Sequence, residues 1–154
     1  MDEIQFESFS EATIIDGQRF VDDRGVLMFV NNLKFNFFKR FYVVQNHRQG
    51  FIRAWHGHLK EAKFLFPISG AFQVGVVKID EFGNSALDLE AKSFVIDASS
   101  PKGLYIPPGF ANGTKSLTLN GQLLIFSTAS LSESSYDDIR FPYDTWDIWQ
   151  EKFR

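Results

Sequence analysis

The chain predicts an all-β domain, a sandwich or barrel of short strands. Two observations carry that expectation. Short apolar runs rich in Val, Ile and Phe recur along the sequence. Pairs that favour turns separate them: Asp16-Gly17, Gly83-Asn84, Asn112-Gly113 and Asn120-Gly121. Short strands at this spacing, broken by such pairs, are the pattern of sandwiches and barrels.

In order, strands are expected over Thr13–Ile15, Val26–Asn31, Lys39–Gln45, Phe51–His58 and Lys63–Ser69. They continue over Ala71–Asp80, Ala91–Ile96, Gly103–Ile106, Thr114–Leu119 and Gln122–Thr128. Asn120-Gly121 predicts a tight hairpin between the last two, because both central residues of such a turn take positive φ. Asn112-Gly113 reads as a plain turn. The stretch "DDIRFPYDTWDIWQEKFR" lacks clean alternation, and Trp146 and Trp149 stand three residues apart. That spacing suits a short helical segment packed on the barrel by its tryptophans. No linker, repeat or low-complexity tract divides residues 1–154, so one domain with a sizeable core is expected.

Composition narrows the function. Apolar residues make up 44% and aromatics 16%, with 18 Phe, as in globular proteins. The net charge of −3 offers no basic stripe for nucleic acid. Cysteine is absent, which removes disulfides, thiol nucleophiles and thiolate ligands. The polar, acidic N-terminus does not resemble a signal peptide, and no apolar run approaches membrane-spanning length. A cytoplasmic address with no membrane partner is the expectation.

The chemistry concentrates in "IRAWHGHLKEAKF", which holds two of the three histidines. On a regular strand, Ile52, Ala54, His56 and His58 share one face, and Arg53, Trp55 and Gly57 the other. The two imidazoles then stand about 7 Å apart and can converge on one ligand. Two imidazoles on an inward face are costly to bury without partners, which favours a functional role. A neutral imidazole can take a proton near pH 7, and a nearby Lys or Arg can stabilise an enolate.

Spacing here resembles two cupin motifs. Gly50, His56, His58, Lys63 and Gly70 fit the first; "PPGFAN", Pro107 to Asn112, is similar to the second. Metal-binding cupins place a Glu at the position of Lys63 and a His at that of Asn112. An ammonium repels a divalent cation, and an amide is a poor substitute for imidazole. The expectation is a cupin barrel, a jelly-roll double-stranded β-helix, with neither metal nor organic cofactor.

More of the chain resembles the sugar-nucleotide cupins, the dTDP-4-dehydrorhamnose 3,5-epimerases and dTDP-4-keto-6-deoxyhexose 3,4-ketoisomerases. The similarity runs through "RFVDDRG", "VVQN", "IRAWHGH", "LYIPPGFANG" and "DDIRFPYDTW", in family order. It implies that His56 is the base beside the C4 ketone, with Asp144 as its orienting carboxylate. It implies that Lys63 stabilises the enolate, and that Arg24, Arg53, Gln45 and Asn46 hold the nucleotide diphosphate and sugar. Asn112 stands at a substrate-binding position. Phe126 stands where the epimerases have a tyrosine acid, which leaves Tyr42, Tyr136 and Tyr143 as candidate donors. The resemblance favours a C3 epimerase, with or without C5, in deoxysugar supply for a surface polysaccharide. A 3,4-ketoisomerase using His56, His58 and Tyr42 is the alternative, and a catalytically silent sugar-nucleotide binder the third. A homodimer with crossing N-terminal strands is also implied.

Overall fold

The computed structural model describes residues 2–80 and 90–154, so the expected turn at Gly83-Asn84 lies outside the described residues. Numbered in chain order, the strands form two antiparallel five-stranded sheets and a separate hairpin. The first sheet runs β1 (Thr13–Asp16), β9 (Lys102–Ile106), β6 (Lys63–Ser69), β11 (Gln122–Ser127), β4 (Arg40–Gln45). The second runs β12 (Ile139–Arg140), β5 (Ile52–His58), β10 (Phe110–Ser116), β7 (Ala71–Lys78), β8 (Lys92–Asp97). The hairpin joins β2 (Gln18–Asp22) to β3 (Gly25–Phe29). This is the expected jelly roll.

Burial fixes which residues point between the sheets. Leu65, Leu104, Leu123 and Ile125 of the first sheet meet Phe72, Val74, Val76, Ile96 and Phe110 of the second in one buried cluster. Both outer faces are covered too. Phe6, Phe37, Phe38, Phe64, Tyr105 and Phe126 pack on the first sheet. Trp55, Trp146 and Trp149 pack on the second, with Trp55 ring centroids 5.2 Å from each of the other two. Covering two faces of one sheet requires apolar residues at both phases of a strand, which accounts for the high aromatic content and for strands without strict alternation.

Four expectations change. Strand β2 falls in "GQRFVDD", whose polar residues concealed it. Asn112-Gly113 is not a turn: it lies inside β10, between Val76-Gly75 of β7 and His56 of β5. Gly113 is needed there for close approach, since a Cβ would stand 2.5 Å from the Ala54 Cβ and 2.9 Å from the Trp149 ring. Asn120-Gly121 makes a turn in which only Asn120 takes positive φ, 58°. It carries the chain from β10 in one sheet to β11 in the other, so no hairpin forms. The short helix, α1 (Leu131–Ser135), precedes the tryptophans, which sit in irregular backbone instead; Ser130 and Glu133 close it with a reciprocal capping box. Trp146 and Trp149 are buried by packing, as expected of them.

Candidate active site

A β-bulge sets the phase of β5. Across the β5–β10 ladder His56 faces Asn112 and Arg53 faces Thr114, so Ala54 and Trp55 together oppose Gly113. Both therefore turn outward to the tryptophan cluster. The extra residue reverses the alternation on its N-terminal side. Ile52 and Ala54 do not share the histidines' face as expected. Arg53, His56 and His58 lie on the interior face instead, with Asn112, Thr114 and Phe110 opposite them, while Ile52, Ala54, Trp55 and Gly57 lie outside.

The first sheet supplies the facing groups by register. Arg40, Ser127, Lys63 and Ile106 form one cross-strand row; Tyr42, Ile125, Leu65 and Leu104 form the next. Both rows point inward, because Ile106, Ile125, Leu65 and Leu104 belong to the buried interior. The Arg40 guanidinium stacks 5.0 Å from the Tyr42 ring centroid. Phe126 is one residue out of phase: it packs outside, against Phe38, Phe41 and Phe64. It does not occupy an interior acid position at all.

The turn between β5 and β6 brings in Glu61, whose side chain is fully buried. The Asp137 carboxylate accepts the backbone N–H groups of Leu59, Lys60 and Glu61 at 2.8, 2.9 and 2.8 Å, which fixes this turn. The Asp137 carbonyl lies 2.6 Å from His58 Nδ1. Glu61 then stands 3.6 Å from His58 Nε2, 3.5 Å from Lys63 Nζ and 3.9 Å from Arg40 Nη2. Among the described residues, no group of three His, Cys, Asp or Glu side chains forms a metal-ligand set.

Electrostatics follow from this crowding. Burial first, then the Lys63 ammonium and Arg140, hold His56 below the ordinary imidazole value, with Asp138 pulling weakly the other way. Burial and Lys63 likewise lower His58, opposed by Glu61 and by the Asp137 carbonyl. A base kept neutral and a cation kept close are the two parts that proton abstraction beside a ketone needs.

The remaining expected residues divide. Asn112 faces His56 and donates from Nδ2 to the His56 carbonyl at 3.3 Å. Arg53 Nε donates to Asn46 Oδ1 at 2.6 Å, and Asn46 Nδ2 to Ser116 Oγ at 2.5 Å. Asn46 and Arg53 line a cavity of about 300 Å³ with His47, Arg48 and Phe51, and the guanidinium carbons of Arg48 and Arg53 both lie 5.7 Å from the Phe51 ring. Gln45 is exposed and accepts a hydrogen bond from Gln122. Of the three tyrosines only Tyr42 reaches the interior. Tyr136 is 92% exposed and Tyr143 58%; the Tyr143 carbonyl accepts the indole N–H groups of Trp55 and Trp149. Asp144 sits exposed in the turn after Pro142 and makes no hydrogen bond to His56; the carboxylate in electrostatic reach of that ring is Asp138. Arg24 pairs with Asp22 on the β2–β3 hairpin, away from both rows. Sequence reasoning missed Arg40, although Arg40 and Tyr42 share a strand face two residues apart. It also gave Glu61, Arg48 and Asp137 no role.

Solved structures share this fold. A QdtA sugar 3,4-ketoisomerase from Thermoanaerobacterium thermosaccharolyticum, in complex with TDP, is 21% identical, covers 90% of this chain and 93% of its own, and superposes with a TM-score of 0.66. A double mutant of ChmJ, a 3'-monoepimerase from Streptomyces bikiniensis in complex with dTDP, gives 16%, 93%, 76% and 0.72. A dTDP-4-dehydrorhamnose 3,5-epimerase from Bacillus anthracis, with TDP and PPi bound, gives 20%, 95%, 89% and 0.68. The fold is thus that of the cupins that include sugar-nucleotide epimerases and ketoisomerases. The chain belongs to the FdtA family, described as WxcM-like, C-terminal, whose model matches residues 10–144. A sequence search among curated proteins finds no match. No helix among the described residues is long and apolar enough to cross a membrane.

Proposed function

We propose that the protein is an isomerase of nucleotide-linked 4-keto-6-deoxyhexoses and that it moves the ketone between C4 and C3. One observation carries the choice of reaction: His56 and His58 share the interior face, while Phe126 is turned out of the barrel. A ketoisomerase needs proton carriers on one side of the sugar; an epimerase also needs a donor on the opposite face. In this reading His56 takes the proton from C3, the electron pair forms the C3=C4 bond, and the C4 oxygen becomes an enediolate beside Lys63. His56 returns its proton to C4 as the O3–H bond breaks to give the C3 ketone, and the hydroxyl proton ends on the C4 oxygen.

The nucleotide diphosphate is assigned to the cavity of Arg48, Phe51 and Arg53, since guanidinium forks suit phosphate oxygens and an aromatic ring suits a base. The reading needs no metal, so activity survives dialysis against EDTA. A homodimer is supported by the β2–β3 hairpin, which exposes Phe20, Val21, Val26 and Leu27.

The test is incubation with dTDP-4-keto-6-deoxyglucose in D2O, followed by NMR of the ring carbons. A 3-keto product supports the proposal. A 4-keto product inverted and deuterated at C3 replaces it with the epimerase, for which Tyr42 is the interior donor. Unchanged, undeuterated substrate overturns both and leaves a silent binder.

A further inference from the structure

Lys63 carries the charge that the proposed reaction needs, on a side chain poorly suited to hold still. A cation stabilises an oxyanion best when it is in place before the charge develops. A lysine ammonium rides on a flexible four-carbon stem and has no fixed direction of its own. Lys63 sits on the inward row of the first sheet with Arg40, and Ser127 of β11 stands between them. The two residues are thus two strands apart, roughly 9–10 Å at the backbone. Among the described residues, the carboxylate paired with Lys63 is that of Glu61.

Glu61 reaches into the gap between the two cations. Its Oε2 stands 3.5 Å from Lys63 Nζ and its Oε1 3.9 Å from Arg40 Nη2, so each oxygen meets a different cation. The carboxylate is fully buried, and both contacts are ion pairs without a formed hydrogen bond. A carboxylate at that depth needs cations beside it, because its own desolvation is costly. The three groups differ in freedom. Arg40 is tied independently: its Nε donates to the Ala129 carbonyl at 3.1 Å, and its guanidinium lies over the Tyr42 ring. Glu61 is tied through its backbone. Its N–H donates to Asp137 Oδ2 at 2.8 Å, and the next N–H, of Ala62, donates to Thr128 Oγ1 at 2.9 Å. Lys63 is the free member of the three, and the fixed carboxylate decides where its ammonium rests. We propose that Glu61 is the positioning residue of Lys63: it holds the ammonium at the C4 oxygen and cancels the second cation. One carboxylate against two cations leaves one positive charge, which matches the single charge of the enediolate. The assignment rests on the sugar-nucleotide reading above and adds a positioning residue to it.

The test is a double-mutant cycle in kcat, read as formation of the 3-keto product from dTDP-4-keto-6-deoxyglucose. Glu61→Gln is expected to lower kcat by about 10–10²-fold, the size of an ångström-scale misplacement of a catalytic group, and to bind dTDP as the wild-type protein does. In the Lys63→Met background the same substitution is expected to change kcat by less than about twofold, because the group it positions is already gone. An equal loss in both backgrounds overturns the proposal, since Glu61 then acts through the fold or through His58, whose Nε2 lies 3.6 Å from the same Oε2. An unchanged kcat in Glu61→Gln overturns it as well. A wild-type protein that leaves the substrate untouched overturns the isomerase reading and this assignment with it. Should Glu61→Gln fold poorly, 15N NMR of lysine-labelled wild-type protein decides, with the Lys63 ammonium identified by its loss in Lys63→Met. An order parameter above about 0.6 for the ammonium axis supports a held cation; a value below that, the range of flexible groups, overturns the proposal.

Discussion

The two faces of β5 carry the same backbone and opposite chemistry. Outside, Trp55 is fully buried and its indole N–H donates to the Tyr143 carbonyl at 3.1 Å, as does that of Trp149. Inside, His58 and Glu61 are nearly as deeply buried, yet they own three of the four buried side-chain atoms without a partner among the described residues; the fourth is the Trp146 indole nitrogen. On the outer face one of three indoles lacks a partner, whereas on the inner face the open atoms are gathered in a single His58–Glu61 pair. The bulge at Ala54-Trp55 allows one strand to do both, because it moves both residues to the outer face and aims Arg53 and the histidines inward.

The sharpest break of this comparison is a pair of substitutions one residue apart. His56→Asn is expected to lower kcat by about 10²–10⁴-fold, the usual range for losing a general base, with the unfolding midpoint little changed. Trp55→Ala is expected to destabilise the fold by about 3–5 kcal/mol, read by urea unfolding, because it empties the centre of the outer cluster. If Trp55→Ala keeps its stability, or His56→Asn its activity, the division of β5 into a packing face and a working face fails.

Lys63→Met tests the inner face next. If the Lys63 ammonium meets a developing oxyanion, as proposed, its removal is expected to cost about 10²–10³-fold in kcat. The pH profile separates this from a packing effect. His56 must be neutral to act, and its value lies below the ordinary 6.5, so the acid limb of kcat/KM falls below pH 6.5. Lys63 contributes to that lowering, so Lys63→Met moves the limb upward. Stability follows the same sign. The unfolded chain takes up protons at 6.5 while folded His56 and His58 do not, so stability drops as pH falls below about 6.5. It stops dropping once the folded imidazoles titrate. An acid limb at or above 6.5 in the wild-type protein would remove the neutral-base argument.

Legibility in the sequence differed by face as well. Most strands, the jelly roll and the family were readable, because apolar runs, turn pairs and motifs are local; the polar β2 and the two-residue β12 were not. Spacing singled out His56 and Lys63, and both lie on interior-facing positions of their strands. The phase of β5 was not, since a bulge depends on what lies across the ladder, here the small Gly113 against Ala54. Phe126 was placed at a correct strand but with no knowledge of its face, because aromatic residues cover the outside of the first sheet. Asp137 lies 76 residues beyond Glu61 in sequence and grips three consecutive amides; no local pattern announces such a clamp. Arg40 alone carried a usable signal, a charged residue in phase with Tyr42 on an otherwise apolar strand.

The smallest expected effect concerns which acidic residue tunes the base. Asp144 matches the family tail, yet it is exposed and forms no bond to His56. Asp138 holds Arg140 through a 2.9 Å contact, and Arg140 sits directly across the ladder from His56. The pair therefore acts on His56 with opposite signs: Arg140 lowers it and Asp138 raises it. Asp138→Asn removes the raising partner and is expected to move the acid limb of kcat/KM further down by a fraction of a pH unit, with kcat on the plateau nearly unchanged. Arg140→Gln is expected to move it up. Asp144→Asn is expected to move neither quantity. A collapse of plateau kcat in Asp144→Asn, with the acid limb also shifted, would return the orienting role to the residue that the motif selects and would mean that the tail closes over His56 during turnover.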